Sequence, residues 1–562
     1  MTTPTPRPKS PIDAVADAYV ARYLDLDPWS ATQAGVPGYD HLWPDFSPEG
    51  AAERVALDRA TLAELAECEP VDDVDRVTLA SMRERLGLAG ELHDADLGIE
   101  TSLNNLASPV QGVRDIFDLM STDTTEGWVN VAARLNSMPE AVAGYIESLK
   151  AAAARGNVAA IRQVSECARQ AQLQTGDDSF FPSFVAGADA SLVSDGLRVD
   201  LERGIGAAKQ AYATLADFLE RDLAPQAPQV DAVGREKYAL CSRQFLGAAV
   251  DLDETYEWGM AELAKIMAEQ TAVAEQIAGP GASVEQAVTQ LEADEKYILR
   301  GTDALKAWMQ ATSDKAIEEL SGTHFNIEGP MRTLECLIAP TNTGAIYYTG
   351  PSDDFSRPGR MWWSVPAGQD TFGTWREKTT VYHEGVPGHH LQIAASVANK
   401  EMLNDWRRMM CWISGHGEGW ALYAEQLMAE LGYLDDPADR LGMLDGQRLR
   451  AARVVFDIGM HLEKKAPVAW GGEVWTPETS WNFLKSNVNM NEDFVKFEYT
   501  RYLGWPGQAP AYKVGQRIWE QVRAEAEATA GAAFDAKAYH TKALNLGAVP
   551  LSVLRNAIMD AL

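Results

Sequence analysis

From Ile12 to about Glu295 the chain repeats apolar positions at i, i+3, i+4 and i+7. PIDAVADAYVARYLDL, PEGAAERVALDRATLAELAE and GLRVDLERGIGAAKQAYATLADFLERDL all carry this spacing, which lines one face of an α-helix. LDETYEWGMAELAKIMAEQTAVAEQI continues it. Alanine-rich helical segments with short polar joins predict a bundle or stacked hairpins. No fixed repeat period runs through them. The first ten residues are rich in Pro and Thr and predict a disordered tail.

The pattern changes after about residue 320. NTGAIYYTGPSDDFSRPGRMWWSVPAG is rich in Gly, Pro and aromatic residues. AIYY and MWWSV within it predict two short strands around a polar loop. A helix bearing His383 follows. EGWALYAEQLMAEL predicts another helix, closed by Gly432. Asp436 and Pro437 open a long helix that runs to about Lys464. The expected fold is mainly α: a large helical body with a deep cleft and a small β-hairpin beside the His383 helix. Residues 11–320 form its helical N-terminal part and 321–562 the part with the chemistry, packed as one compact unit.

Composition narrows the function. Hydrophobic residues make up 46% and charged residues 23%, as in soluble globular proteins. The net charge of −32 disfavours nucleic acid and anionic membranes as partners. Cys68, Cys167, Cys241, Cys336 and Cys411 are scattered and form no C-x-x-C, which suits structural thiols in a reducing compartment. No apolar run is long enough to span a membrane, and the first residues show no secretory leader. The expected location is the cytoplasm. Oligomeric state is left open.

Four of the nine histidines (His383, His389, His390 and His416) fall within 34 residues, together with Glu384 and Glu418. VYHEGVPGHHLQ begins like the zinc-helix pattern H-E-x-x-H, in which both histidines share one helix face. Here two extra residues intervene. In a regular helix, His383 and His390 stand about 10.5 Å apart along the axis, and His383 and His389 lie on different faces. Pro387 would clash with the carbonyl of His383, while Gly385 and Gly388 supply backbone freedom. The helix must bulge or break. A bulge that absorbs two residues brings His389 to the second-ligand position, and one that absorbs three brings His390. GHH, read as the x-G-H of a zinc helix, favours His389. The plainer alternative is that V-P-G ends the helix and the histidines cap it. Glu418 lies 34 residues after Glu384, where a third ligand from a following helix is expected. Glu425 stands two turns further on the same face and can support a ligand.

YHEGVPGHHLQ, EGWALYAE, SRPG, DIGMH and RYLGWPGQAPAYKVG together resemble a bacterial family of unknown function, numbered 885. Its members are grouped with gluzincin metallopeptidases and are similar in fold to the carboxypeptidase Taq family. The resemblance covers most of the chain. It implies one zinc ion per chain, held by His383, by His389 or His390, and by Glu418 in the place of the Glu of H-E-S-Q-S. HGEGW departs from that motif, because Gly417 separates His416 from Glu418.

These groups predict a hydrolase. Zinc with three protein ligands acidifies a water molecule, and Glu384 is placed to accept its proton. Tyr502, Tyr512 and His461 are candidate donors to a developing oxyanion. Arg357, Arg360, Arg501 and Lys513 are candidates to hold a substrate carboxylate. The expected activity is carboxypeptidase-like hydrolysis of short peptides by a metal-activated water. A non-peptide amide, or a silent helical binding protein, are the alternatives.

Overall fold

The computed structural model describes residues 7–340 and 346–560. The described residues are mainly helical, with two small sheets of two and three strands. Residues 1–6 of the expected tail lie outside the described residues. The rest of that tail is tied down, contrary to the expectation. Arg7 donates to Asp72 at 2.6 Å and also pairs with Asp13 and Asp75. Ser10 caps the helix Pro11–Leu26, with its hydroxyl accepting from Asp13 N and the Asp13 carboxylate accepting from Ser10 N. Both interactions satisfy donors that a helix start leaves open.

The apolar faces assemble three cores. One lies among the helices Thr125–Ala154, Ile161–Leu173 and Asp195–Phe218. A second joins the helices Pro11–Leu26 and Asp73–Asp94 to Trp406, Cys411 and Ile413. The third and largest runs from Val77 and Tyr238 to Ile558. Helices on both sides of residue 320 share it. Leu252–Ala278 packs on Pro437–His461, and Thr302–Leu320 packs on the strand Leu334–Ile338. Among the described residues no helix is long and apolar enough to cross a membrane.

The expected strand pair is present. Ile346–Thr349 runs antiparallel to Gly359–Trp363, with Tyr347 opposite Trp362 and Tyr348 opposite Met361. A third strand, Leu334–Ile338, joins the other side of Gly359–Trp363 in parallel. Among the described residues Ile346–Thr349 is therefore an edge strand. The helix Thr374–Glu384 crosses beneath it and packs on Pro437–His461.

Close helix approach positions the rest. Ser414–Glu430 and Ala511–Ala530 meet through glycines. A Cβ on Gly419 would lie 2.5 Å from the Gly515 backbone, and one on Gly515 would lie 2.2 Å from Gly415 O. No side chain fits at either position, so the two backbones touch there. Glu418 and Tyr512 thereby reach one cavity.

Candidate metal centre

The helix that carries His383 ends at Glu384, and a new helix starts at His389. Between them Gly388 N donates to Tyr382 O at 3.1 Å and His390 N to Gly385 O at 3.1 Å. A Cβ on Gly388 would lie 1.9 Å from His383 O, so only glycine passes. Trp420 Nε1 donates to Pro387 O at 2.9 Å and pins the bulge to the helix Ser414–Glu430. The break swings His389 back over His383, with ring centroids 4.9 Å apart and planes at 90°.

Glu418 faces both imidazoles. Its Oε2 lies 3.4 Å from His383 Nε2 and 3.6 Å from His389 Nε2. Tetrahedral ligands at zinc bond lengths of 2.0–2.2 Å stand about 3.3–3.6 Å from one another. The three donors therefore have the spacing of a shared coordination shell. The donor atoms of His383, Glu384 and His389 also lie within 4.8 Å of one another. That places Glu384 beside the shell.

A second layer orients His383. Its Nδ1 donates to Glu425 Oε1 at 2.7 Å, and Thr379 Oγ1 donates to Glu425 Oε2 at 2.6 Å. This fixes the tautomer and leaves Nε2 free for a metal. Replacing Glu425 by Gln should weaken zinc affinity about 10- to 100-fold, measured by competition with a chromophoric chelator. Unchanged affinity would remove Glu425 from the site.

His390 is not available as a ligand. Its Nε2 donates to Met331 O at 2.9 Å, and its Nδ1 accepts from Tyr348 OH at 2.9 Å. Burial pushes its pKa down to about 4. His416 is buried away from the cavity, with Nδ1 3.3 Å from Gln392 Nε2.

The charges are coupled. Burial disfavours charge on His383, but Glu418 and Glu425 outweigh it and push the metal-free imidazole up to about 10. Burial likewise disfavours charge on Glu418, but bonds from His383 and His389 hold it well below the usual range. Burial raises Glu384 above its ordinary value, against the pull of His389 and His383. A metal needs neutral His383, whereas Glu418 and Glu425 favour its protonated form in the metal-free protein. Zinc uptake at pH 7 should then release about one proton, and affinity should fall as pH falls. Calorimetry in two buffers of different ionisation enthalpy measures it, and zero release would mean neutral His383 in the metal-free protein.

The donors line a cavity of about 360 Å³. The edge strand contributes Ile346, Tyr347 and Tyr348, the helix His389–Ala398 contributes Ile393, and the loop before Ser414–Glu430 contributes Trp412. Gly417 now has a reason. A Cβ there would lie 2.4 Å from the Trp412 ring, so the glycine lets that ring sit at the mouth.

Of the expected oxyanion donors, only Tyr512 lines the cavity. Tyr502 is fully buried behind Arg453, accepting from its Nε at 2.6 Å and donating to Glu498. His461 donates to Tyr502 O at 3.0 Å. Its neighbour Asp457 accepts from Tyr238 OH at 2.7 Å and Gly507 N at 2.8 Å. DIGMH ties the end of the helix Pro437–His461 to the segment that carries Tyr502 and Gly507. None of the four expected carboxylate-binding residues lines the cavity among the described residues. Arg357 lies in the loop between two strands, and Arg360 pairs with Glu335 at 2.8 Å. Arg501 pairs with Glu498 at 3.0 Å and Gln508 at 2.6 Å. Lys513 is buried against Glu262 at 3.2 Å and Gln447 at 2.6 Å.

The cations that do face the cavity are Arg450 and Arg453, which sequence reasoning missed. A signal was present. Arg450, Arg453, Asp457 and His461 are spaced 3, 4 and 4 apart, one face of a helix.

No curated protein matches the chain. Two solved structures share its fold. "The putative lipoprotein from Colwellia psychrerythraea" is 21% identical, with a TM-score of 0.83 over 98% of each chain. A "putative lipoprotein of unknown function from Shewanella oneidensis" is 16% identical, with a TM-score of 0.76 over 98% of this chain and 100% of that one. At such identities the likeness is one of fold. The family model of bacterial proteins of unknown function, DUF885, matches residues 28–558, and the chain belongs to that family.

Proposed function

We propose that the protein is a zinc-dependent peptidase of gluzincin type that hydrolyses short peptides. The observation that carries this reading is the meeting of His383 and His389 on one Glu418 oxygen, at 3.4 and 3.6 Å, with Glu384 alongside. Two imidazoles and a carboxylate suit zinc. Zinc, when bound there, supplies a Lewis acid that polarises a carbonyl and acidifies water.

The chain's own groups supply the rest. Glu384 has a carboxylate with no hydrogen bond or ion pair among the described residues, so it is free to accept a proton and pass it to the leaving amine. Tyr512 makes no hydrogen bond through its hydroxyl among the described residues and can donate to a developing oxyanion. The edge strand Ile346–Thr349 forms one wall. Its open side can pair with an extended peptide backbone, which favours a peptide over a small non-peptide amide.

The test is metal analysis followed by a peptide-library digest. About one zinc per chain is expected, with cleavage lost on chelation and restored by zinc. A fully zinc-loaded protein that cleaves nothing in the library would overturn the reading.

A further inference from the structure

Two arginines face the cavity, and their situations differ. Arg453 donates to Tyr502 at 2.6 Å and to Glu498 at 2.9 Å, so its charge is balanced inside the protein. Arg450 lies one turn earlier on the same helix. Its guanidinium makes no hydrogen bond and no ion pair among the described residues, and its Nε is buried without a partner. A guanidinium stays charged at any ordinary pH and offers a planar fork of donors that matches a carboxylate. Leaving that Nε buried and unmade costs free energy. A ligand carboxylate would complete the fork.

Part of the cavity lining is apolar and aromatic. Tyr347 is 37% exposed and Trp412 54% exposed, and Ile393 lines the cavity with them. These are surfaces for a non-polar side chain.

We propose that Arg450 binds the α-carboxylate at the free C-terminus of a peptide, and that the terminal side chain, aromatic or apolar, lodges against Tyr347, Ile393 and Trp412. The inference rests on the zinc-peptidase reading and makes the protein an enzyme that trims peptides from the C-terminal end.

Binding tests it apart from turnover. Zinc-loaded Glu384→Gln protein is titrated with N-acetyl-glycyl-glycyl-phenylalanine, with its C-terminal amide, and with the acid that ends in Asp. The Phe acid should bind about 10- to 100-fold tighter than the amide, the range of a hydrogen-bonded charge pair. It should bind at least about tenfold tighter than the Asp acid. Adding Arg450→Gln should weaken the Phe acid to the level of the amide and leave the amide within about threefold. Arg450→Lys, which keeps charge without the fork, should fall between, and it serves if the Gln variant does not fold. Equal binding of acid and amide would overturn the anchor, and so would equal weakening of both by Arg450→Gln. The second result would make Arg450 a mere counter-charge to the site carboxylates, as it is to Glu384 and Glu425. Equal binding of the Phe and Asp acids would overturn the side-chain pocket. Hydrolysis by the parent protein separates the two claims. If it cleaves acid and amide at one rate, the anchor falls and the peptidase stands. If the acid binds through Arg450 but nothing is cleaved, the peptidase falls and the anchor stands.

Discussion

Glu384→Gln is expected to keep zinc and to lower kcat/KM by about 10²- to 10⁴-fold, the usual contribution of one general base. Glu384 ends the helix that supplies His383 and lines the cavity, with its carboxylate within 4.8 Å of the His383 and His389 donor atoms. Glu418 is the carboxylate that meets both imidazoles. Burial lifts the Glu384 carboxyl above its ordinary value, which suits a group that must take and return a proton near neutrality. The Gln side chain has nearly the same shape and cannot accept that proton. Zinc content by elemental analysis and peptide hydrolysis by chromatography give the two readouts. A variant as active as the parent would remove Glu384 from the reaction. A variant that loses zinc would make it a ligand.

The helical body was legible because its periodicity is local. Each stretch with an i, i+3, i+4 pattern became a helix, and Asp436 with Pro437 opened the long one as read. The strand pair was legible for the same reason. The parallel partner Leu334–Ile338 was not, since its pairing with Gly359–Trp363 depends on contacts across the fold. The anchoring of residues 7–10 was not legible because composition says nothing of Asp13, Asp72 and Asp75, which bind Arg7.

The site was half legible. Its donors sit in short stretches whose chemistry constrains the spacing, and Pro387 announced the break. Residues around the donors depend instead on which way a helix turns. Tyr502 and Tyr512 are ten residues apart in one aromatic segment, yet one lies behind Arg453 and the other lines the cavity. Lys513 follows Tyr512 directly and points into a different buried cluster. Arg450 and Arg453 were hidden among other helical arginines, and only the crossing of Pro437–His461 with the His383 helix brings them to the donors.

His389→Ala and His390→Ala should part sharply. The first removes an imidazole that stands 3.6 Å from Glu418 and has no hydrogen bond through Nδ1 among the described residues. Two of three ligands then remain, and zinc should be lost at micromolar free metal, with activity falling to the level of the chelated protein. His390→Ala removes a ring held between Tyr348 OH and Met331 O. It leaves a buried hydroxyl and a carbonyl without their partner, which costs about 1–3 kcal/mol for each group left unsatisfied. The variant should therefore keep its zinc and lose thermal stability. The position of His389 is set by the bulge, whose backbone passes so close to His383 O at Gly388 that a Cβ there would lie 1.9 Å from it. Elemental analysis after dialysis, paired with thermal unfolding, measures both effects. Equal zinc retention in the two variants would mean that neither imidazole is a ligand, and that the break at Pro387 only ends a helix.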